Sequence, residues 1–246
     1  MIKTEDKTME NERREKKWFQ FVKKLMRVRY KEPKFIYQGD EVEGGAVILC
    51  NHEGTDAPMA WEMYSGKPVS FWGAHQMNSG LKKMYAYQSK VYFHEKKGMN
   101  LCLARLFCLI ASPLTNMFYK GLDVVSTYED ARLKKTMRES AERLAEGRNL
   151  VIFPEVSDEG YQETLQGFHG GAVLFLELQK RKGNDCTVYT AYYNKEKNIC
   201  LVGAPKKYSE IAEGVLSREE IAQKLCDECN GLGRQTAEME THRKKK

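Results

Sequence analysis

Proline is scarce, at 6 of 246 residues, and no run of eighteen uncharged apolar residues occurs. The first shortage argues against polyproline and collagen-like chains, and the second leaves no plain membrane span. The most apolar stretch, Leu101 to Tyr119, is interrupted by Arg105, Pro113 and Asn116 and reads as a segment that does not span. A Gly-x-Ser-x-Gly elbow is missing, which counts against a serine hydrolase. The opening MIKTEDKTMENERREKK surrounds no apolar core, so it does not read as a secretory signal. The chain is 41% hydrophobic, 30% charged and 11% aromatic. That composition excludes a disordered or low-complexity chain and suits one globular domain with appendages.

Seven cysteines stand at 50, 102, 108, 186, 200, 226 and 229, several inside apolar stretches. An odd number so placed suits reduced, buried thiols in a cytosolic protein. Cys226 and Cys229 form a lone C-x-x-C, which fits two helix residues three apart as well as a redox or zinc pair.

The net charge of 40 − 34 = +6 is modest but unevenly placed. Between Trp18 and Tyr37 six bases (Lys23, Lys24, Arg27, Arg29, Lys31, Lys34) face one acid, Glu32. Trp18, Phe21, Val22, Leu25 and Val28 recur at helical spacing, so an amphipathic helix is predicted. Such a helix either lies in an anionic lipid interface or packs on its own domain with its lysines in water. No groove-reading or base-stacking motif accompanies the basic patch, so nucleic acid is not an expected partner.

The remainder alternates. Short apolar runs at Ala46–Cys50, Val69–Ala74, Leu122–Ser126, Leu150–Phe153, Val188–Tyr193 and Ile199–Val202 predict buried strands. Helical patterns fall over Glu129–Glu146, Gly171–Lys180 and from Ser217 towards Glu238, and Gly147 stands where a helix-ending glycine belongs. The predicted fold is α/β: a mixed, mostly parallel sheet flanked by helices, with an N-terminal amphipathic helix. Residues 1–37 form the polar lead-in and basic helix, 38–210 the α/β domain, and 211–246 a C-terminal helix and basic tail.

Two places carry candidate chemistry. Asn51-His52-Glu53-Gly54-Thr55-Asp56-Ala57-Pro58 follows a strand, where ligands of open α/β sheets gather. If the chain turns into a helix there, Asp56 can hold one ring nitrogen of His52 and leave the other to accept a proton. The same residues also spell a helix start, with Thr55 or Asp56 as cap and Pro58 in the first turn. The second place is Phe153-Pro154-Glu155-Val156-Ser157-Asp158, followed by Phe168-His169-Gly170-Gly171-Ala172. There a strand enters a polar loop and a glycine pair opens a helix whose free N–H groups suit anions.

Taken in order, these blocks resemble the glycerolipid acyltransferase superfamily, whose best-known members are the 1-acylglycerol-3-phosphate acyltransferases. The resemblance runs from about residue 40 to about residue 205, with Gly121-Leu-Asp-Val-Val125-Ser126-Thr127 in the place of the family's middle block. It implies that His52 and Asp56 form a catalytic dyad, and that Phe153, Pro154, Glu155 and Ser157 bind the acceptor. It further implies an acyl thioester donor (acyl-CoA or acyl carrier protein), a lysolipid acceptor, an anionic membrane surface, and a peripheral position on the inner face of the membrane. No cofactor beyond the co-substrate and no metal is implied.

Three departures stand out. Three residues, not four, separate His52 from Asp56, and the arginines of the middle and Phe-Pro-Glu blocks are replaced by Thr127 and Asp158. A carboxylate at position 158 repels a phosphomonoester, so an acceptor other than simple lysophosphatidate is expected unless Lys82, Lys83, Arg132 or Lys134 substitutes. The alternative reading is a catalytically inactive, lipid-binding or scaffold protein with the acyltransferase fold.

Overall fold

The apolar runs become strands of one sheet in a computed structural model that describes residues 17–156, 162–214 and 217–240. Among the described residues eight strands are present: β1 (Lys34–Tyr37), β2 (Val47–Cys50), β3 (Val69–Ala74), β4 (Val124–Thr127), β5 (Asn149–Ile152), β6 (Thr187–Asn194), β7 (Ile199–Val202) and β8 (Lys206–Lys207). Their order is β1-β7-β6-β2-β5-β3-β4, with β8 on β6. Pairings are parallel except β6 with β7 and with β8. The predicted mixed, mostly parallel α/β sheet is the observed one.

Strand alternation divides the core into two layers. Val47 and Leu49 of β2, Leu150 and Ile152 of β5, and Val188 and Tyr192 of β6 face one side. Helices α6 (Gly171–Arg181) and α8 (Arg218–Glu238) cover them there with Phe175, Leu176, Leu225 and Cys229. Ile48, Cys50, Val151, Tyr189 and Ala191 face the other side, covered by Ala57, Ala60 and Trp61 of α2 (Asp56–Tyr64). At the far edge, α5 (Leu133–Ala145) ends at Gly147, whose φ of +75° is the left-handed value a helix-ending glycine supplies. α8 begins on a capping box in which Ser217 Oγ accepts from the Glu220 N–H and the Glu220 carboxylate accepts from the Ser217 N–H. A short helix, α7 (Tyr208–Ile211), precedes it.

The amphipathic stretch at the start is shorter as a helix than its sequence pattern. Helix α1 covers Lys17–Met26, and Lys34–Tyr37 instead pairs in parallel with β7. Buried Pro33 lies just before β1, and the residue before a proline is pushed out of helical geometry. α1 packs inward through Phe19 and Val22, with Phe19 against Phe118 at 5.5 Å. Gly121 permits that approach, because a Cβ there would lie 2.1 Å from the Phe19 ring. Lys23 also turns inward and pairs with Glu62 at 2.6 Å. Phe21, Leu25 and Val28 remain exposed.

Between β3 and β4 the chain forms a helical arm: α3 (Leu81–Ala86), a π-helical segment (Tyr87–Lys96) and α4 (Leu101–Tyr119), packed on one another. Asn100 starts α4 by accepting the Cys102 N–H. The interrupted apolar stretch is therefore a continuous helix, long and apolar enough by length and composition to cross a bilayer, and only 29% of it is buried.

Candidate active site

Parallel neighbours deliver their carboxyl ends to one edge, and β2 lies between β5 and β6. The residues that follow these three strands therefore converge. Asn51, 1% exposed, carries the β2–β6 pairing one side chain further. Its Oδ1 accepts the Tyr193 N–H at 2.7 Å and its Nδ2 donates to the Tyr193 carbonyl at 3.0 Å. This clamp fixes the direction in which the chain leaves the strand, and His52 follows it. The next two residues turn left-handed, Glu53 at φ +43° and Gly54 at φ +67°. α2 then begins at Asp56 with Pro58 in its first turn, as a helix start predicts, although the Thr55 side chain makes no cap bond. Two left-handed residues thus lie between His52 and Asp56, whose carboxylate turns to Lys195 and Arg29.

On the β5 side, the His52 ring meets Phe153 edge-on, with centroids 4.9 Å apart. Phe153 in turn stacks on Phe71. Glu155 is only 7% exposed, and its carboxyl accepts the His52 backbone N–H. Burial pushes that carboxyl up to about 7; the His52 N–H opposes the rise and Glu53 adds to it. Oε1 of Glu155 has no hydrogen-bond partner among the described residues. Near neutrality the group thus stands between its protonated and its ionised form.

The second block folds back on the first. Glu155 bridges to Phe168, the His169 N–H reaches the Pro154 carbonyl at 2.7 Å, and the Val156 N–H reaches the Gly167 carbonyl at 2.9 Å. The glycine pair opening α6 is thereby held beside Pro154 and Glu155. Asn230 of α8 fastens the segment before Phe168 by exchanging hydrogen bonds with both backbone groups of Leu165. Ser157 and Asp158 lie outside the described residues.

On the β6 side the surroundings are charged. Asp56, 8% exposed, meets Lys195 Nζ at 2.9 Å and Arg29 Nη1 at 3.8 Å. The hydrogen bond to Asp56 raises the Lys195 pKa, while burial raises that of Glu53 against the pull of Lys195. Arg29, Lys31, Lys195, Asp56 and Tyr193 line a cleft of about 250 Å³.

Elsewhere the sequence candidates take structural parts. Arg132 closes on Asp130 at 2.6 Å and lies over the Tyr128 ring, which also stacks on His75. That hydrogen bonding lowers the Asp130 pKa to about 2. Thr127 donates to the Gly73 carbonyl between neighbouring strands. Cys226 and Cys229 are buried free thiols whose pKa values burial raises, Cys226 to about 11, which makes them poor nucleophiles. Among the described residues, no group of three or more His, Cys, Asp or Glu could hold a metal ion.

Sequence reasoning missed Asn51 as a clamp and Lys195 and Arg29 as partners of Asp56. A signal for Lys195 existed, since it follows a predicted strand, but nothing in the chain order says that this strand neighbours β2. A search of curated proteins gives no match. The family model described as Acyltransferase matches residues 27–194, from the loop after α1 through β6. That match covers His52, Asp56 and Glu155 together with the strands that carry them, and the chain belongs to the glycerolipid acyltransferase family.

Proposed function

We propose that this acyltransferase moves a fatty acyl group from an acyl thioester, on CoA or acyl carrier protein, to the hydroxyl of a lysophospholipid or related glycerolipid. His52 takes the proton from the acceptor hydroxyl, and the oxygen attacks the thioester carbonyl. The C–S bond then breaks, and His52 returns the proton to the departing thiolate. Asp56 orients the imidazole and stabilises its protonated form, as the acid of a Ser-His-Asp triad does, with no protein nucleophile needed. Phe153, Pro154, Glu155 and Ser157 position the acceptor. Backbone N–H groups at the start of α6 are suited to the oxyanion.

The observation that carries this reading is the meeting of His52 with Phe153 and buried Glu155 at the carboxyl ends of adjacent parallel strands. The missing arginines support a head group other than a bare phosphomonoester. Lys195 and Arg29 beside Asp56 offer positive charge from a different direction. Exposed Lys24 on α1 and exposed Arg27, Arg29 and Lys31 just after it suit an anionic membrane surface, with the protein peripheral on its cytoplasmic side.

The test is acyl transfer from acyl-CoA and from acyl carrier protein to a panel of lyso-acceptors, for wild type and His52→Ala. Transfer lost in the variant supports the dyad, and a strong preference for lysophosphatidate would sink the acceptor assignment. The second reading, a lipid-binding protein with a silent site, draws on the engagement of Asp56 by two cations. It wins if both proteins bind liposomes and neither transfers.

A further inference from the structure

We propose that the outer face of α4 seats in the interface of an anionic bilayer, lying along the membrane rather than crossing it. The helix is inside out for a protein in water. Ala104, Cys108, Ser112 and Asn116, spaced four apart, face inward at 0 to 8% exposure, and Ser112 donates to buried Gln88 at 2.7 Å. The opposite face carries Leu103 (61% exposed), Leu106 (65%), Phe107 (51%) and Ile110 (74%), with Met117 (40%) further along. Three- and four-residue steps put them on one stripe. Burying the small and polar side while wetting the large apolar side runs against the hydrophobic effect, unless an apolar medium covers that stripe.

Charge identifies the medium. Residues 81–120 hold seven bases (Lys82, Lys83, Lys90, Lys96, Lys97, Arg105, Lys120) against one acid, Glu95. Lipid phosphates complement this belt, whereas a second copy would bring the same positive charge to the same patch. Depth follows from the neighbours. At 19 residues α4 is about 28 Å long, enough to span, but exposed Arg105 lies within it, exposed Lys90 and Glu95 lie on the segment packed beside it, and exposed Lys97 follows that segment. Those charges belong at head-group level, which makes the helix monotopic.

This inference deepens the reading of a lipid-borne acceptor and rests on it for its purpose, while vesicle binding tests it separately. The full chain is sedimented with phosphatidylcholine vesicles, with and without phosphatidylglycerol, as wild type and as Leu106→Glu/Ile110→Glu. Wild type should bind the anionic vesicles and the double variant at least tenfold more weakly, with unchanged melting by circular dichroism. The second measurement is Ile110→Trp, whose added indole fluorescence should be quenched by lipids brominated along the acyl chain. Undiminished binding by the double variant, or an unquenched indole, overturns the seat. So does a lipid-free dimer that the double variant dissociates, because a second copy would then be the occupant. Acyl transfer to a water-soluble short-chain acceptor separates the two claims. If wild type transfers nothing yet binds vesicles through α4, the function fails and the seat stands.

Discussion

The two flanks of β2's carboxyl end differ in kind. Towards β5, His52 lies against Phe153, and Glu155 is buried with a carboxyl pushed up to about 7. Towards β6, Asp56 is nearly as buried but sits between Lys195 and Arg29. Similar burial comes with different surroundings: among the described residues no cation pairs with Glu155, whereas two pair with Asp56. In the proposed mechanism the first flank holds and moves the proton, while the second pairs charge. The largest test of that division is His52→Ala, which should lower kcat by roughly 10²–10⁴-fold with little change in melting temperature. A variant that keeps its activity would mean that the proton moves elsewhere, and the β5 flank would lose its role.

The next effect is on stability. Glu155 has a folded pKa of about 7, above its ordinary 4.5, so the folded state binds more protons than the unfolded state between those values. Stability from this group is therefore greatest below about pH 4.5 and falls as pH rises to about 7, opposite to an ion-paired carboxylate. The shift is worth about 3 kcal/mol. In Glu155→Gln that dependence disappears, so the variant should gain about 3 kcal/mol on wild type between about pH 4 and about pH 8. Urea unfolding at several pH values measures it. A constant difference would mean that Glu155 titrates normally and that the β5 flank is not the uncharged one.

The flanks were not equally legible. His52, Asp56 and Glu155 were singled out because the blocks that resemble the family keep their order along the chain, and the strands before them were found because buried parallel strands are continuous apolar runs. Lys195 and Arg29 were not, since both reach Asp56 only through the placement of β6 beside β2 and of the loop after α1 over α2. Asn51 stood in the motif, but its clamp on Tyr193 is a tertiary contact between positions 142 residues apart. Helices show the same limit. The spacing from Trp18 to Val28 led to one apolar face, and the structure splits it: Val22 turns inward while Phe21, Leu25 and, beyond the end of α1, Val28 stay outside. In α4, Arg105, Pro113 and Asn116 drew the eye to what breaks a span. Periodicity alone does not tell a buried apolar stripe from an exposed one.

The smallest effect probes the β6 flank directly. Lys195 is 48% exposed at its side chain and Asp56 only 9%, so their 2.9 Å pair lies between the exposed and the buried case. An exposed pair contributes up to about 1 kcal/mol, whereas breaking a fully buried one costs about 3–5 kcal/mol. With the lysine half in water and Arg29 still within 3.8 Å of the carboxylate, Lys195→Met should cost about 1–2 kcal/mol. For a chain of this size that lowers the melting temperature by roughly 2–8 °C. A double-mutant cycle with Asp56→Asn isolates the pair from the methylenes lost with the lysine, and should return a coupling of about 1 kcal/mol. The coupling should shrink in high salt, because half of the pair is open to solvent. Additive costs would mean that Lys195 contributes packing and no charge. Arg29, 3.8 Å from the Asp56 carboxylate, would then be its remaining charge partner among the described residues, and the contrast between the two flanks would reduce to one exposed guanidinium.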